Sequence, residues 1–198
     1  MQRLSAPALL ALTLFAAACN RASDATAPRT PRTTLQASHG SHGSDSTRPS
    51  FGHPPSAEVL RDVARVRQVT APFHRFEAAD SAGWGEQLTD CFYMPGKGGM
   101  GYHFGNLQLL FDGKVDVSEP ELLLYEPQKN GELRLVAVEY AIPFTDWTAA
   151  EPPRLFGRNF HENFDFGLWV LHVWAQRDNP SGMFEDWNPT VSCEYAER

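Results

Sequence analysis

The run Phe166–Ala175 (FGLWVLHVWA) restricts the fold most, because both of its alternating sets of side chains are largely apolar. Successive side chains of a strand point to opposite faces, so this run predicts a central strand of a sheet. Residues 121–126 (ELLLYE) and 132–142 (ELRLVAVEYAI) are also strand-like, and Asn130-Gly131 between them is typical of a hairpin turn. A β-hairpin next to a central strand is therefore expected.

Residues 56–82 have a helical pattern. Val59, Val63 and Val66 recur at helical spacing, Ser56 is a suitable N-cap, and Pro72 predicts a kink or break. A less regular fourth strand is predicted over 102–111. The predicted class is α+β, with an N-terminal helix packed on a mostly antiparallel β-sheet or partial barrel.

The 198 residues suit one domain of ordinary size, which we place at 56–198. Residues 20–55 are rich in Ser, Thr, Ala, Pro, Gly and His and lack apolar periodicity, which predicts a disordered tether. His39 and His42 in its short repeat, together with His53, could bind a transition metal weakly, although a solvated linker explains them as well.

The first 18 residues have the features of a signal peptide. Arg3 precedes the apolar run Ala6–Ala18, which is shorter than the roughly 20 residues of a membrane span. The run ends in Phe15-Ala16-Ala17-Ala18-Cys19, which resembles the lipobox of bacterial lipoproteins, with Ala16 where Leu is more usual. The alternative is an ordinary secretory signal in which Ala16-Ala17-Ala18 is the cleavage site.

The lipobox resemblance implies that Cys19 becomes the first mature residue and carries diacylglycerol and palmitate. The protein would then be lipid-anchored in the cell envelope and face the periplasm or the exterior. Asn20, rather than Asp, follows the cysteine, which in this family implies the outer membrane of a Gram-negative host. Residues 19–55 would be the lipidated cysteine and its tether.

The cysteine count agrees with an oxidising location. With Cys19 lipidated, Cys91 and Cys193 remain as a pair, and we expect them to form a disulfide. The bridge would close a loop of about 100 residues and stabilise the fold by up to about 4–5 kcal/mol. The alternative is that both are metal ligands, but the chain has no CxxC spacing.

The net charge of −7 comes entirely from residues 56–198, because residues 1–55 are net positive. An acidic domain repels phosphate backbones, so nucleic-acid binding is not expected. It also lacks a basic face for anionic lipids, so the lipid would provide the membrane attachment.

Four polar residues interrupt or end the apolar strands: His103, Glu139, His172 and Glu126. The alternation of side chains along a strand predicts that Glu139 and His172 each lie on a largely apolar face. Glu139 would share a face with Leu133, Leu135, Ala137 and Ala141, and His172 would share one with Leu168, Val170 and Trp174. If these faces line one concave interior, the two side chains approach each other and His103 joins them.

Two imidazoles and a carboxylate are typical of open sites for Zn, Fe or Cu. The same residues suit a general acid–base pair, and a purely structural hydrogen-bond network is the third interpretation. No HExxH motif or other metal-site spacing decides between them. The glycine-rich stretch 94–101 is expected to be a flexible loop bordering a pocket, and the turn-rich segment 179–193 to be its lid or wall.

The block Met100–Cys193 resembles secreted bacterial domains that have no assigned activity, so the resemblance implies no function. Three hypotheses follow from the residues: an extracytoplasmic module that binds a metal or small ligand, an enzyme using the same side chains, and a structural envelope lipoprotein without a small-molecule site.

Overall fold

Residues 55–196 are described by the computed structural model. The predicted signal peptide, Cys19 and the tether as far as Pro54 lie outside the described residues. Ser56 caps helix α1 (Ala57–Thr70) by accepting a hydrogen bond from the Val59 N–H at 3.3 Å. A 3₁₀ turn over Ala71–His74, which contains Pro72, separates α1 from α2 (Phe76–Ser81). Proline lacks an N–H and cannot continue the α-helical ladder, which explains the break.

Residues 55–196 also contain a short helix, α3 (Leu107–Leu110), and nine strands, three before this helix and six after it. They are β1 (Glu86–Gln87), β2 (Phe92–Met94), β3 (Gly98–Gly105), β4 (Leu122–Pro127), β5 (Leu133–Pro143), β6 (Arg154–Leu155), β7 (Arg158–Asn159), β8 (His161–Asn163) and β9 (Leu168–Val173). The main sheet has the order β1-β3-β4-β5-β9-β8, with β2 also paired to β3, while β6 and β7 form a separate ribbon. Every pairing is antiparallel, and the α+β class is confirmed.

The predicted hairpin is present. β4 and β5 pair directly, and Gly131 in their turn adopts a φ of 82°, which glycine tolerates and most residues do not. The register contains a bulge, because Leu124 lies opposite Ala137 whereas the next residue, Tyr125, lies opposite Leu135. Val136 is the extra residue, and beyond it the alternation of β5 is reversed.

The fourth strand differs from its predicted position. β3 begins at Gly98 and ends at Gly105, and residues 107–110 form α3 instead. The side chain of Asn106 accepts hydrogen bonds from the Gln108 and Leu109 N–H groups, which starts a helical turn.

The glycine-rich stretch is likewise only partly a loop, since Gly98–Gly101 belong to β3. A Cβ at Gly98 would collide with the backbone carbonyl of Asn188, so glycine here allows the C-terminal segment to approach the strand closely. Gly99 and Asn188 form an isolated β-bridge at this point.

The main sheet has a different cover on each side. On the side that we call the helix face, Val63 and Val66 of α1 share a buried cluster with strand residues such as Tyr125, Val138 and Tyr140. On the other side, the loop face, strand residues such as Leu122 and Val170 pack with Trp174 and Val191, which follow β9. Leu110 of α3 completes this second cluster.

The predicted disulfide is present. Cys91 and Cys193 are bonded, with their Cα atoms 5.8 Å apart, across a sequence separation of 102 residues. It joins the segment between β1 and β2 to the C-terminal segment. Leu88 of the first segment and Val191 of the second pack in the cluster of the loop face, whereas Cys91 itself packs against that of the helix face.

Candidate functional site

Three of the four polar residues singled out in the sequence converge on the loop face. His103 lies on β3, Glu139 on β5 and His172 on β9, and one ligand atom from each lies within 4.8 Å of the other two. Glu139 and His172 are directly opposite each other in the register of β5 and β9. Because His103 is two strands from Glu139, the long glutamate side chain has to reach across β4.

The distances are similar on the two sides of the glutamate. His103 Nε2 lies 3.6 Å from Glu139 Oε2, and His172 Nδ1 lies 3.6 Å from Glu139 Oε1. All three side chains are almost completely buried, with 4 to 7% of their surface exposed. We refer to His103, Glu139 and His172 as the triad.

His103 is held by Thr89. The Thr89 hydroxyl lies 3.0 Å from His103 Nδ1 and also accepts a hydrogen bond from the His103 backbone N–H. The tautomer with its proton on Nδ1 donates to Thr89 and directs the lone pair of Nε2 towards Glu139. Burial, reinforced by the charge of His172, lowers the pKa of His103 to about 3, so the ring is neutral at neutral pH.

His172 has carboxylates near it but no satisfactory hydrogen bond. Asp186 Oδ1 lies 3.3 Å and Glu139 Oε1 lies 3.6 Å from Nδ1. Within residues 55–196, neither ring nitrogen has a hydrogen-bond partner of acceptable geometry. Although burial opposes its charging, Glu139 and Asp186 together raise the pKa of His172 above its ordinary value. The side chain is therefore electrostatically suited to a positive charge, either its own proton or a bound cation.

The glutamate of the triad is less acidic than usual. Burial raises the pKa of Glu139, and the positive charge of His172 opposes this shift only in part. A carboxylate in this position is strongly stabilised by a cation placed between it and the two imidazoles.

Sequence reasoning missed Asp186 and His161. Asp186 lies between two histidines, because its other oxygen, Oδ2, is 3.4 Å from Nε2 of the half-exposed His161 on β8. Burial opposes ionisation of Asp186, but the neighbouring rings of His161 and His172 lower its pKa, and Asp186 in turn raises the pKa of His161. Neither residue lies in an apolar periodic segment, so only the turn-rich 179–193 region gave a signal, as the predicted wall of a pocket.

Glu126 does not join the triad. Its carboxylate accepts hydrogen bonds from the Arg177 guanidinium and, at 3.0 Å, from the Ser192 backbone N–H. These hydrogen bonds connect the end of β4 to the segment after β9. The contacts favour a structural role for this buried carboxylate.

The bulge at Val136 changes the predicted neighbours of Glu139. Leu133 and Leu135 pack in the cluster of the helix face, whereas Ala137 and Ala141 pack in that of the loop face. The predicted face is therefore right only beyond the bulge. For His172 the prediction holds, since Leu168, Val170 and Trp174 all pack in the cluster of the loop face.

The triad and Asp186 border a cavity of about 380 Å³. Residues from the β1–β2 connection, the start of β2, the turn between β8 and β9 and the C-terminal segment complete its lining; they include Thr89, Phe92, Phe166 and Trp187. The C-terminal segment is thus a wall of the cavity. Its size is within the range of small-molecule sites.

A second buried carboxyl lies near this site. Glu121 precedes β4, is 2% exposed, and accepts a hydrogen bond from the Ala141 N–H at 3.1 Å. Burial raises its pKa to about 9, an effect that the Ala141 hydrogen bond opposes and the neighbouring Asp112 and Glu139 reinforce. Glu121 is therefore protonated and neutral at pH 7.

Comparisons with known proteins give no identity for the chain: no family model, no curated protein and no solved structure matches it. Among residues 55–196, none of the helices has the length and apolar character needed to cross a bilayer.

Proposed function

We propose that this chain is a lipid-anchored extracytoplasmic module that binds one divalent transition metal ion through His103, Glu139 and His172. The observation that carries the proposal is the convergence of three ligand atoms from three different strands within 4.8 Å of one another. They border a cavity, and His172 at this point has unpartnered ring nitrogens among the described residues. A buried, unsatisfied polar group in a cavity calls for a ligand or water.

The separations within the triad suit a metal. Two ligands of a tetrahedral ion with bonds of about 2.0–2.1 Å lie roughly 3.3–3.4 Å apart. The two triad distances of 3.6 Å, which involve different oxygens of Glu139, need only a small contraction to reach this value, and all three ligand atoms lie within 4.8 Å of one another. His103 is already neutral, as a ligand must be, and Thr89 orients its ring as outer partners do in metal sites.

The donor set narrows the choice of ion. Two histidines and one carboxylate are used for catalytic zinc and for non-haem iron, and imidazole also suits copper. Three protein ligands leave at least one coordination position for a water or a ligand, and the cavity lies beside the triad. The arrangement thus supports a binding site, and it is also compatible with catalysis.

Asp186 supports a second candidate, an acid–base site without a metal. Asp186 Oδ1 lies 3.3 Å from the same Nδ1 of His172 that the metal would use, and the other carboxylate oxygen, Oδ2, lies 3.4 Å from Nε2 of His161. In this case an imidazolium at His172 would lie between two carboxylates and exchange protons with a ligand in the cavity.

Metal analysis of the full mature chain tests the proposal. His39, His42 and His53 are first replaced by alanine so that the tail contributes no ligand. We expect about one equivalent of zinc or another divalent transition ion per chain after dialysis. The binding should be lost in His103→Ala, His172→Ala and the nearly isosteric Glu139→Gln.

Two exposed positions provide matched controls, since His74→Ala and Glu132→Gln change the same residue types away from the cavity. Both should retain the metal. A wild-type chain that binds no divalent ion under these conditions, while its triad variants fold normally, would overturn the proposal. In that case, titration of His172 by NMR distinguishes the acid–base site from a structural network.

The lipid anchor is a proposal that rests on the lipobox resemblance of residues 15–19. The Cys91–Cys193 disulfide supports the oxidising location that such an anchor requires. The intact mass of protein extracted from membranes should correspond to a chain that begins at an acylated Cys19. A chain that retains Met1 would contradict this part of the proposal.

A further inference from the structure

The walls of the cavity are mostly apolar, although its most buried groups are polar. Leu88, Met100, Leu122 and Leu168 are among the lining residues and pack with the cluster of the loop face. An apolar wall gains free energy in proportion to the apolar ligand surface that it removes from water. The cavity therefore favours a ligand whose surface is largely hydrocarbon.

The charges around the cavity disfavour an anion. Its lining includes the carboxyls of Glu139, Asp165 and Asp186, but no lysine or arginine among the residues that the structure describes. A divalent ion in the triad would balance Glu139 and Asp186. His161, which also lines the cavity and whose pKa Asp186 raises, would at most balance Asp165, so no positive charge remains for an anionic ligand. A ligand that is neutral overall and offers one oxygen to the metal meets this balance, whereas a carboxylate adds further negative charge.

Two aromatic rings from distant parts of the chain meet at the cavity. Phe92 on β2 and Phe166 in the turn between β8 and β9 both line it, with ring centroids 6.4 Å apart. Phe92 also packs against the imidazole of His103, at 5.6 Å. Phe166 remains 53% exposed, so a ligand placed between the rings and the triad would cover apolar surface that now faces water.

We infer that the cavity binds a neutral molecule of one or two rings, which packs against Phe92 and Phe166 and gives one hydroxyl or carbonyl oxygen to the metal. This inference rests on the proposed metal site for the oxygen contact only. An apolar cavity of about 150 Å³ is sufficient for benzene, so a cavity of about 380 Å³ has room for a larger ring system.

Three probes of one shape test the chemical class. Metal content is measured first, and calorimetry then compares 2-naphthol, naphthalene and 2-naphthoate on the zinc-loaded full chain. We expect 2-naphthol to bind at least tenfold more tightly than 2-naphthoate, and naphthalene to be weaker than 2-naphthol because it lacks the oxygen. Equal or tighter binding of the naphthoate, or no binding of 2-naphthol to metal-loaded protein, would overturn the inference.

Phe166→Ala tests the position of the ligand. It should weaken 2-naphthol binding about tenfold without changing the metal content. The matched control is Phe164→Ala in the same turn, because Phe164 is 75% exposed, packs on Phe144 and does not line the cavity. Equal losses in the two variants would contradict the placement.

The two proposals fail in different ways. If the wild-type chain binds no metal but binds 2-naphthol, and Phe166→Ala weakens that binding, the metal site is contradicted and the apolar ligand class is retained. A chain that binds one metal but none of the neutral probes contradicts the ligand class and retains the metal site. Equal affinity of 2-naphthol for the metal-free and loaded protein would contradict the oxygen contact.

Discussion

The two faces of the main sheet treat buried polar groups differently. On the helix face, the Tyr125 hydroxyl donates to the Phe73 carbonyl at 2.7 Å, and the Tyr140 hydroxyl donates to the Val117 carbonyl at 2.8 Å. On the loop face, His172 is just as buried but lacks a hydrogen bond of good geometry within residues 55–196. Since an unpaired buried polar group destabilises a fold, the position of His172 beside the cavity marks this part of the loop face as suited to binding. The other unpartnered atoms among the described residues, Gln176 Oε1 and Arg177 Nε, belong to residues that do not line the cavity.

The helix face should therefore behave as a core, and its largest side chains should dominate stability. Tyr125→Ala removes a fully buried ring that contacts Phe76 and Phe104, together with its hydrogen bond to Phe73. We expect the free energy of unfolding to fall by about 3–5 kcal/mol in urea denaturation. The metal content of the fraction that remains folded should be unchanged.

Tyr125→Phe is the control, because it keeps the ring and removes only the hydroxyl. It should cost about 1 kcal/mol. A Tyr125→Ala variant that loses metal while losing little stability would show that the two faces do not have separate roles.

The sequence predicted the parts of this comparison that depend on local pattern. Asn130-Gly131 and the flanking apolar segments were enough for the hairpin, and the polar residues within apolar strands identified the triad. The bulge was not predictable, because Leu135-Val136-Ala137-Val138 is apolar at every position. Without an alternation of polar and apolar residues, the sequence does not show where the side chains exchange faces.

Asp186 and His161 could not be assigned to the site for a different reason. They reach His172 from a C-terminal turn and from a three-residue strand, through contacts that no local period encodes. Glu126 resembled the triad residues in sequence, and its long-range contacts with Arg177 and Ser192 separate it from them.

Glu121 contrasts with His172, because it is a buried carboxyl near Glu139 that does have a backbone hydrogen-bond partner. Its pKa in the folded protein, about 9, is above the value of 4.5 expected in the unfolded chain. The folded state therefore holds a proton that the unfolded state releases between these values. The stability linked to Glu121 is complete below about pH 4.5 and is lost as the pH rises towards 9, by at most about 1.4 kcal/mol per pH unit.

Glu121→Gln should remove this dependence, because a glutamine does not titrate. Between pH 6 and pH 8, we expect the wild type to lose up to about 2–3 kcal/mol relative to the variant in urea unfolding. Glu119→Gln, at an exposed position two residues earlier, should follow the wild type. A wild type and a Glu121→Gln variant with parallel pH profiles would mean that Glu121 is already ionised in the folded protein.

The smallest expected effect tests the unsatisfied face itself. His172→Leu replaces two unpartnered ring nitrogens with an apolar side chain, and the raised pKa of Glu139 allows that carboxyl to become neutral. Without metal, and at a pH high enough for His172 to be uncharged, so that no attraction to Glu139 and Asp186 is lost, the variant should be more stable than the wild type by about 1–2 kcal/mol, which is a rise of a few degrees in Tm. With metal at 100 times its Kd, the wild type should gain about 2.7 kcal/mol and the variant nothing, so the order of stability reverses.

His74→Leu, at an exposed position, should change neither value. A His172→Leu variant that is less stable than the wild type even without metal would mean that His172 serves the fold, and the two faces would then differ in composition but not in purpose.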